Sequence, residues 1–447
     1  MIMLFGHRVD VVLIIALLLI VSAVAYGVTL LILSRFERKG RPADENTEAA
    51  AAFAEQAHVV FVIPCLNEER VIGNSLDRLS SFESDRMTFL VIDDGSDDNT
   101  AAIVEAHPDE RVKLLRRVAP NARQGKGEAL NAALPLIRRG LVAPGVDPQS
   151  VIVCVIDADG RLDPESMDKV LPLFIDPDLG AVQIGVRINN RSSNLLARMQ
   201  DIEFVLYTKV FQRGRRHFNS VGLGGNGQFV RLAALNMLGE KPWSRSLAED
   251  LDLGVQLMVN GWNTEFESSV AVHQQGLEDI NRWVKQRTRW FQGHLQSWTM
   301  IPWVMRNLSG RRRVDLTYHL SSPILLLLGS LMSIAFAMWS GYLVVAAATM
   351  TLQFSPWWIT AYLIAFGVPL LYGLVYWQQN RHDGSGLIKT FLLMHVFTLY
   401  STLWFLAGWR ATWKTLRGEM GWSKTERIEE HAVEDAAEDP VNHHAKA

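Results

Sequence analysis

The chain predicts an α/β domain with a mostly parallel sheet, facing the cytoplasm and joined to α-helical transmembrane segments. Three observations carry that prediction. Short β-rich runs at 58–63, 89–92, 112–115, 151–156 and 181–188 alternate with amphipathic, helix-like stretches, the pattern of a sheet covered by helices on both faces. Polar motifs follow three of these runs, and in such sheets ligands bind beyond the carboxyl ends of the strands. Uncharged runs at 11–34 and between 318 and 407 are long enough to cross a bilayer at about 20 residues per span. At 447 residues, 49% hydrophobic and 20% charged, the chain is apolar for a soluble protein and has room for two or three domains.

The first segment, 1–36, reads as a retained anchor. Its apolar run continues past the small-x-small triplet Ala23-Val24-Ala25, exceeds the roughly 7 to 15 residues of a signal-peptide core, and ends in the basic stretch from Arg35 to Arg41. That cluster, against Arg8 alone before the run, places the next segment in the cytoplasm. Residues 37–57, rich in Ala and Glu, read as a linker with helical tendency, and 58–277 as the α/β domain. Residues 278–316 are helical in pattern and mix Trp283, Trp290, Trp298 and Trp303 with Arg and Lys, as suits helices lying on a membrane surface.

Apolar runs at 318–350, 357–377 and 387–407 make 317–409 a region of transmembrane helices, and 410–447 a basic segment followed by a disordered acidic tail. Three runs conflict with the charges, because Arg311-Arg312-Arg313 before them and Arg410, Lys414, Arg417 and Lys424 after them both belong in the cytoplasm. Either the first run folds back, one segment is re-entrant, or the charge rule misplaces the tail. The two cysteines, Cys65 and Cys154, lie in apolar runs and read as reduced core residues. A net charge of −3 decides nothing about nucleic acid, but no basic domain with interleaved aromatics stands out and no nucleic-acid partner is expected.

Asp157-Ala158-Asp159 suits a divalent cation bound together with a diphosphate, since two oxygens on one turn leave the rest of the shell to phosphates and water. Such triplets also occur as turn acids; its place after the strand-like run 151–156 favours the ligand reading. Asp93-Asp94-Gly95-Ser96 can cap a helix, bind a base or ribose, or do both. Glu249-Asp250 either caps the helix predicted over 251–260 or supplies a general base. Gly222-Leu223-Gly224-Gly225-Asn226-Gly227 matches the dinucleotide fingerprint letter for letter, yet the basic, polar 212–220 before it is no buried strand. A glycine-rich loop approached closely by an acceptor fits better. Gly125-Lys126-Gly127 with Arg123 offers a cation to phosphates or is a solvated loop, while His273 reads as a satisfied histidine and His443-His444 fall in the tail.

In this order, and closed by Gln286-Arg287-Thr288-Arg289-Trp290, the motifs resemble family 2 inverting glycosyltransferases of the GT-A fold, in the membrane-embedded branch of cellulose, chitin, hyaluronan and poly-N-acetylglucosamine synthases. The likeness covers 58–290 and the flanking spans. It implies that Pro64, Asn67, Glu68 and Asp94 cradle uridine with Asp93 beside it, that Lys126 neutralises phosphates, and that Asp157 and Asp159 hold the diphosphate with Mg²⁺ or Mn²⁺. Asp250, with Glu249 next to it, would be the catalytic base. Gln286, Arg289 and Trp290 match the family's Q-x-x-R-W at the acceptor end, and Gly224, Gly225, Asn226 and Gln228 would form the acceptor floor.

Ala248 stands where the family often has Thr, and the spans are fewer than in cellulose synthases, which puts a complete polysaccharide channel in doubt. The function the resemblance implies is a processive β-glycosyltransferase that builds a polysaccharide from UDP-glucose or UDP-N-acetylglucosamine. The alternative is a single-transfer glycolipid synthase of the glucosyl-diacylglycerol type, and behind it a nucleotide-binding membrane protein without turnover. Expected partners are the UDP-sugar donor, a growing glycan or lipid acceptor, membrane lipid and, as a further candidate, an accessory subunit. The expected location is integral to a bacterial-type plasma membrane, with the catalytic domain in the cytoplasm.

Overall fold

A computed structural model of the chain describes residues 2–4, 7–9, 11–38, 40–141, 145–348, 357–381 and 386–419. The acidic tail, with Lys424 and His443-His444, lies outside the described residues. The central sheet has eight strands: β1 (His58–Cys65), β2 (Met87–Asp93), β3 (Val112–Arg116), β4 (Val151–Val155), β5 (Arg161–Leu162), β6 (Leu179–Ile188), β7 (Gln228–Arg231) and β8 (Asn263–Gln274). Their order is β3-β2-β1-β4-β7-β6-β8-β5.

The half from β3 to β4 is parallel, as expected. The other half adds antiparallel pairs: β7 runs antiparallel to both β4 and β6, β5 is antiparallel to β8, and only β6 and β8 pair in parallel. The sheet is mixed, with four of its seven strand pairings parallel. The reversal at β7 has a use. Gln228 pairs with Val155 and Gly227 N donates to Val155 O (2.9 Å), so the glycine-rich loop before β7 arrives at the carboxyl end of β4, beside Asp157.

Alternation along the strands builds a core on each face. Val59, Phe61 and Ile63 of β1 point into one cluster with Ile72, Leu76 and Leu79 of helix Ile72–Ser80, while Val60 and Val62 point into the other with Ala129, Leu130, Ala133 and Leu134. Phe61, fully buried, packs on Phe89 at 5.3 Å between ring centroids. Cutting it to Ala would cost about 3 to 5 kcal/mol.

The helices that frame the site are α1 (Val11–Leu33), α2 (Lys126–Leu136), α3 (Leu195–Leu206), α4 (Glu249–Val259), α5 (Ile280–Ser297), α6 (Gly310–Ala348), α7 (Trp357–Asn380), α8 (Leu387–Ser401) and α9 (Leu403–Leu416). Leu30 of α1 shares a buried cluster with Met199, Trp283, Tyr376, Met394 and Tyr400, so the apolar helices and the α/β domain pack as neighbours. A Cβ on Gly214 would fall 2.7 Å from Leu30 O, so only glycine permits this approach of the domain to α1.

Charge ties reinforce that contact. The buried Arg215 guanidinium donates to Asp315 of α6 (2.8 Å), and Tyr26 of α1 donates to the same carboxylate (2.9 Å). The stretch read as a linker is folded: helix Thr47–Gln56, capped by Asn46, lays Phe53 and Ala54 on the core. Among the described residues, Gly310–Ala335 and Leu387–Leu416 are long and apolar enough to cross a membrane. The described part of the first C-terminal run does not fold back on itself, since α6 is one helix of 39 residues.

Candidate active site

Two strand-end loops meet at one end of the site. The chain leaves β1 through Asn67, whose left-handed φ of 54° is tolerated by Asn, and Asn67 N donates to Ser96 Oγ (2.9 Å) while its Oδ1 accepts from Asp97 N (2.9 Å). The adjacent acids divide their labour, because successive positions at a strand end face opposite ways. Asp93 is fully buried and accepts from Ser96 N (2.8 Å), which fixes the turn. Asp94 lines the cavity with Pro64 and Glu68 and pairs with Arg117 (2.5 Å); burial pushes its carboxyl up against the opposing pull of that guanidinium. Asn67 and Asp93 therefore shape the loops from behind, and neither is among the residues lining the cavity.

At the centre, Lys126 at the start of α2 bridges two motifs that lie far apart in sequence. Its Nζ donates to Asp157 Oδ1 (2.6 Å) and to Gly225 O (2.6 Å). Burial works against its charge, but Asp157 and Glu249 outweigh burial and hold the ammonium above its usual range. The solvated-loop reading of 125–127 is thereby set aside. Gly225 leaves little room for a side chain: a Cβ there would stand 3.1 Å from Lys126 Nζ and 3.2 Å from Asp250 Oδ2, and those groups would have to shift by a few tenths of an ångström. Asn226 Oδ1 accepts from Asp157 N (3.1 Å) and its Nδ2 donates to Gln274 (2.9 Å), fastening the loop across the sheet.

Asp250 opens α4. Burial first and the neighbouring Glu249 carboxylate second push its carboxyl up to about 7. Glu249, buried too, is raised chiefly by burial, with Lys126 opposing. A third acid that the sequence reading passed over, Asp252, plays a different part, accepting from Ser244 (2.6 Å) and from Ser297 at the end of α5 (2.5 Å). Those bonds clamp α4 to α5. Gly293 completes the clamp, since a Cβ there would lie 2.7 Å from Ala248 N.

On α5, Gln286, Arg289 and Trp290 line the cavity, and Arg289 is close enough to Glu249 to favour its ionised form. What positions them is Arg287, which the sequence reading did not single out. It is fully buried, donates to Gln286 Oε1 (2.8 Å) and Glu203 (3.1 Å), and stacks over Trp290 with its guanidinium carbon 4.0 Å from the ring centroid. Tyr400 donates to the same Glu203 carboxylate and accepts from Trp283 Nε1 (2.9 Å). Gln183 was missed as well; its amide donates to Asn226 O (2.9 Å) and accepts from Gly224 N (2.8 Å), holding the glycine loop in shape.

These residues surround one cavity of about 750 Å³ that runs from Pro64, Asp94 and Lys126, past Asp157 and Asp250, to Trp290, His319 and Trp404. Besides Asn67 and Asp93, two more expected site residues lie elsewhere. Gln228 is fully buried within β7, because the strand begins where the loop was expected to continue. Asp159 is fully buried and accepts from Gln275 N (3.2 Å), which leaves Asp157 as the acid of the pair that lines the cavity. Among the described residues no three His, Cys, Asp or Glu side chains cluster as a metal cage. The donor set fits a hard cation that brings most of its shell as phosphate and water, with Asp157 as its carboxylate. His273 is satisfied by Asp163 (2.9 Å), as expected.

The fold is GT-A-like. The mannosyltransferase PcManGT from Pyrobaculum calidifontis, solved in complex with GDP-Man and Mn²⁺, superposes with a TM-score of 0.53 at 19% identity, covering 92% of this chain and 100% of that one. Residues 56–293, more than half of the chain, match the family described as Glycosyltransferase like family 2, and the chain belongs to that family. It is 30% identical over 291 residues to a beta-monoglucosyldiacylglycerol synthase of Synechocystis sp., covering 63% of this chain and 57% of that protein. It is 25% identical over 394 residues to the probable glycosyltransferase YdaM of Bacillus subtilis, covering 84% and 88%. The chain thus spans little more than half the length of its glucosyldiacylglycerol-synthase relative.

Proposed function

We propose that the chain is a membrane-embedded, inverting glycosyltransferase that takes a UDP-sugar and moves a single hexose to the hydroxyl of a membrane lipid, as in glucosyl-diacylglycerol synthesis. The observation that carries this reading is the continuity of the cavity. Its nucleotide end lies at the strand ends, Asp250 sits midway, and its far wall is made by Trp404 of α9 and His319 of α6, helices with exposed apolar faces such as Met338 and Leu406. An acceptor can therefore reach Asp250 from the side of the apolar helices. The name of the Synechocystis relative points the same way.

In this mechanism the diphosphate lies against Lys126, and the loop 224–226 fixes the sugar side. Asp250, with a carboxyl near 7, is poised between accepting and releasing a proton at neutral pH. It takes the proton of the acceptor hydroxyl as that oxygen bonds to the anomeric carbon from the face opposite UDP. The bond from that carbon to the phosphate oxygen breaks and UDP departs with the electron pair, so an α-linked donor gives a β-linked product. Mg²⁺ or Mn²⁺ held with the diphosphate through Asp157 would stabilise the charge on the leaving group. Arg287 and Glu203 do no chemistry; they hold Gln286 and Trp290 in place.

The motif set by itself favours a polysaccharide synthase, and the indole faces of Trp290 and Trp404 suit a sugar acceptor too. One assay separates the two. Purified protein in vesicles containing diacylglycerol is given radiolabelled UDP-glucose or UDP-N-acetylglucosamine with Mg²⁺ or Mn²⁺, and lipid extract is separated from polymer. Label in a monoglycosylated lipid is expected. Label confined to a polymer would overturn the lipid reading, and binding without any turnover would overturn the enzyme.

A further inference from the structure

The mechanism leaves two histidines unused. His294 of α5 and His319 of α6 line the cavity on its apolar-helix side, edge to face with ring centroids 6.1 Å apart. Among the described residues neither ring makes a hydrogen bond to the protein, although both are only half-buried toward the cavity. Phe204, Tyr207, Trp290 and Trp404 line the same cavity and offer apolar ring faces.

The pair is also close to the chemistry. Gly293 packs on the Ala248 backbone, which immediately precedes Glu249 and Asp250, so His294 begins the stretch of wall that leads away from the base. Burial pushes its imidazole down to about 4, so it is neutral at neutral pH, with one nitrogen to donate and one to accept. The cations that line the cavity are each beside an acid: Arg123 with Asp97, Lys126 with Asp157, Arg245 with Glu128 and Arg289 near Glu249. A neutral donor and acceptor between aromatic faces suits uncharged oxygens. It does not suit a phosphate, whose burial needs a cation.

Resting on the lipid-acceptor reading above, we infer that His294 and His319 form the acceptor-reading subsite of this enzyme. Their ring nitrogens hydrogen-bond the uncharged oxygens next to the attacking hydroxyl of a lipid alcohol and so select a neutral acceptor over a lipid phosphate. They are specificity and positioning residues, and the proton transfer stays with Asp250.

The test compares wild type with His294→Leu, His319→Leu and His294→Gln in mixed micelles, using dioleoylglycerol, dioleoyl phosphatidic acid and a polyprenyl phosphate as acceptors. Each Leu variant should raise the KM for dioleoylglycerol about three- to tenfold, the range of one hydrogen bond, with unchanged affinity for UDP-glucose, which also reports an intact fold. His294→Gln, which keeps a donor and an acceptor, should recover most of the loss. Wild type should glycosylate dioleoylglycerol far better than either phosphate. If wild type uses dioleoylglycerol while both Leu variants keep its KM, or if wild type prefers a phosphate, the subsite is refuted and the lipid reading stands. If wild type glycosylates no lipid at all, the lipid reading itself falls.

Discussion

Replacing Glu249 by Gln tests whether Asp250 is the base and whether its neighbour sets the working pH. The Asp250 carboxyl stands at about 7 instead of its ordinary 3.8, with burial the larger cause and the Glu249 charge the next. An acid raised in this way is ionised only above its shifted value. In wild type, kcat/KM should therefore fall about tenfold for each pH unit below about 7, as expected when the ionised base is required. Removing a neighbouring negative charge makes ionisation easier, so the acid limb in Glu249→Gln should move to lower pH. Because Glu249 is the smaller of two causes behind a rise of about three units, the move should be on the order of one unit. The assay is UDP release coupled to lipid product between about pH 5 and pH 9, at saturating metal. A limb that moves up in Glu249→Gln, or a wild-type limb near 4, would refute the assignment.

Other perturbations probe the rest of the site. Arg287→Met leaves the Glu203 carboxylate with Tyr400 alone and should lower stability by about 3 kcal/mol, the low end for breaking a buried pair because Glu203 reaches the cavity; adding Glu203→Gln should restore part of the denaturation midpoint, and no restoration would show that packing, not charge, is at stake. Gly225→Ala should cut kcat about tenfold by crowding Lys126 and Asp250 while the melting temperature barely moves. Titration calorimetry should find Mn²⁺ weakly bound alone and tightly bound with UDP, and Asp157→Asn should lose the second mode; tight binding of Mn²⁺ alone would imply a protein cage that the described residues do not form.

Much of this was legible in the sequence where one physical signal dominates. β1, β2 and β4 are nearly continuous β-branched or aromatic runs, because strands buried on both faces need apolar residues at every position. β7 and β8 were not legible. Four residues, Gln-Phe-Val-Arg, carry no period, and β8 mixes Glu, Ser and Asn with a bulge between Glu267 and Ala271. Among site residues, acids at strand ends stood out because a carboxylate rarely ends an apolar run without reason. Which of Asp93 and Asp94 faces the ligand follows from alternation once the strand end is fixed, and the sequence alone does not fix it. Arg287 was hidden by its surroundings: an arginine in a tryptophan-rich, amphipathic helix reads as a membrane-surface residue. Only its contact with Glu203, 84 positions away, shows that it is an internal strut.

The same contacts bear on the conflict between three apolar runs and charges that require an even number of crossings. Asn380, the last residue of α7, accepts from Arg187 (2.8 Å), and Tyr376 donates to Asp201 (3.0 Å), so α7 ends against the α/β domain. Tyr400 at the end of α8 reaches Glu203, Trp404 at the start of α9 packs on Trp283 at 6.0 Å, and Glu419 O accepts from Gln292 of α5 (2.7 Å). From residue 380 onward the chain keeps returning to the domain. Leu387–Leu416, long and apolar enough to cross a membrane, is interrupted only at Thr402, whose backbone stays in the helical region at φ −69° and ψ −19°. Between those anchor points α9 leans on α6, where Trp409 donates to Ser330 (3.0 Å). These contacts tie α8 and α9 to the α/β domain and bring Trp404 to the wall of the cavity.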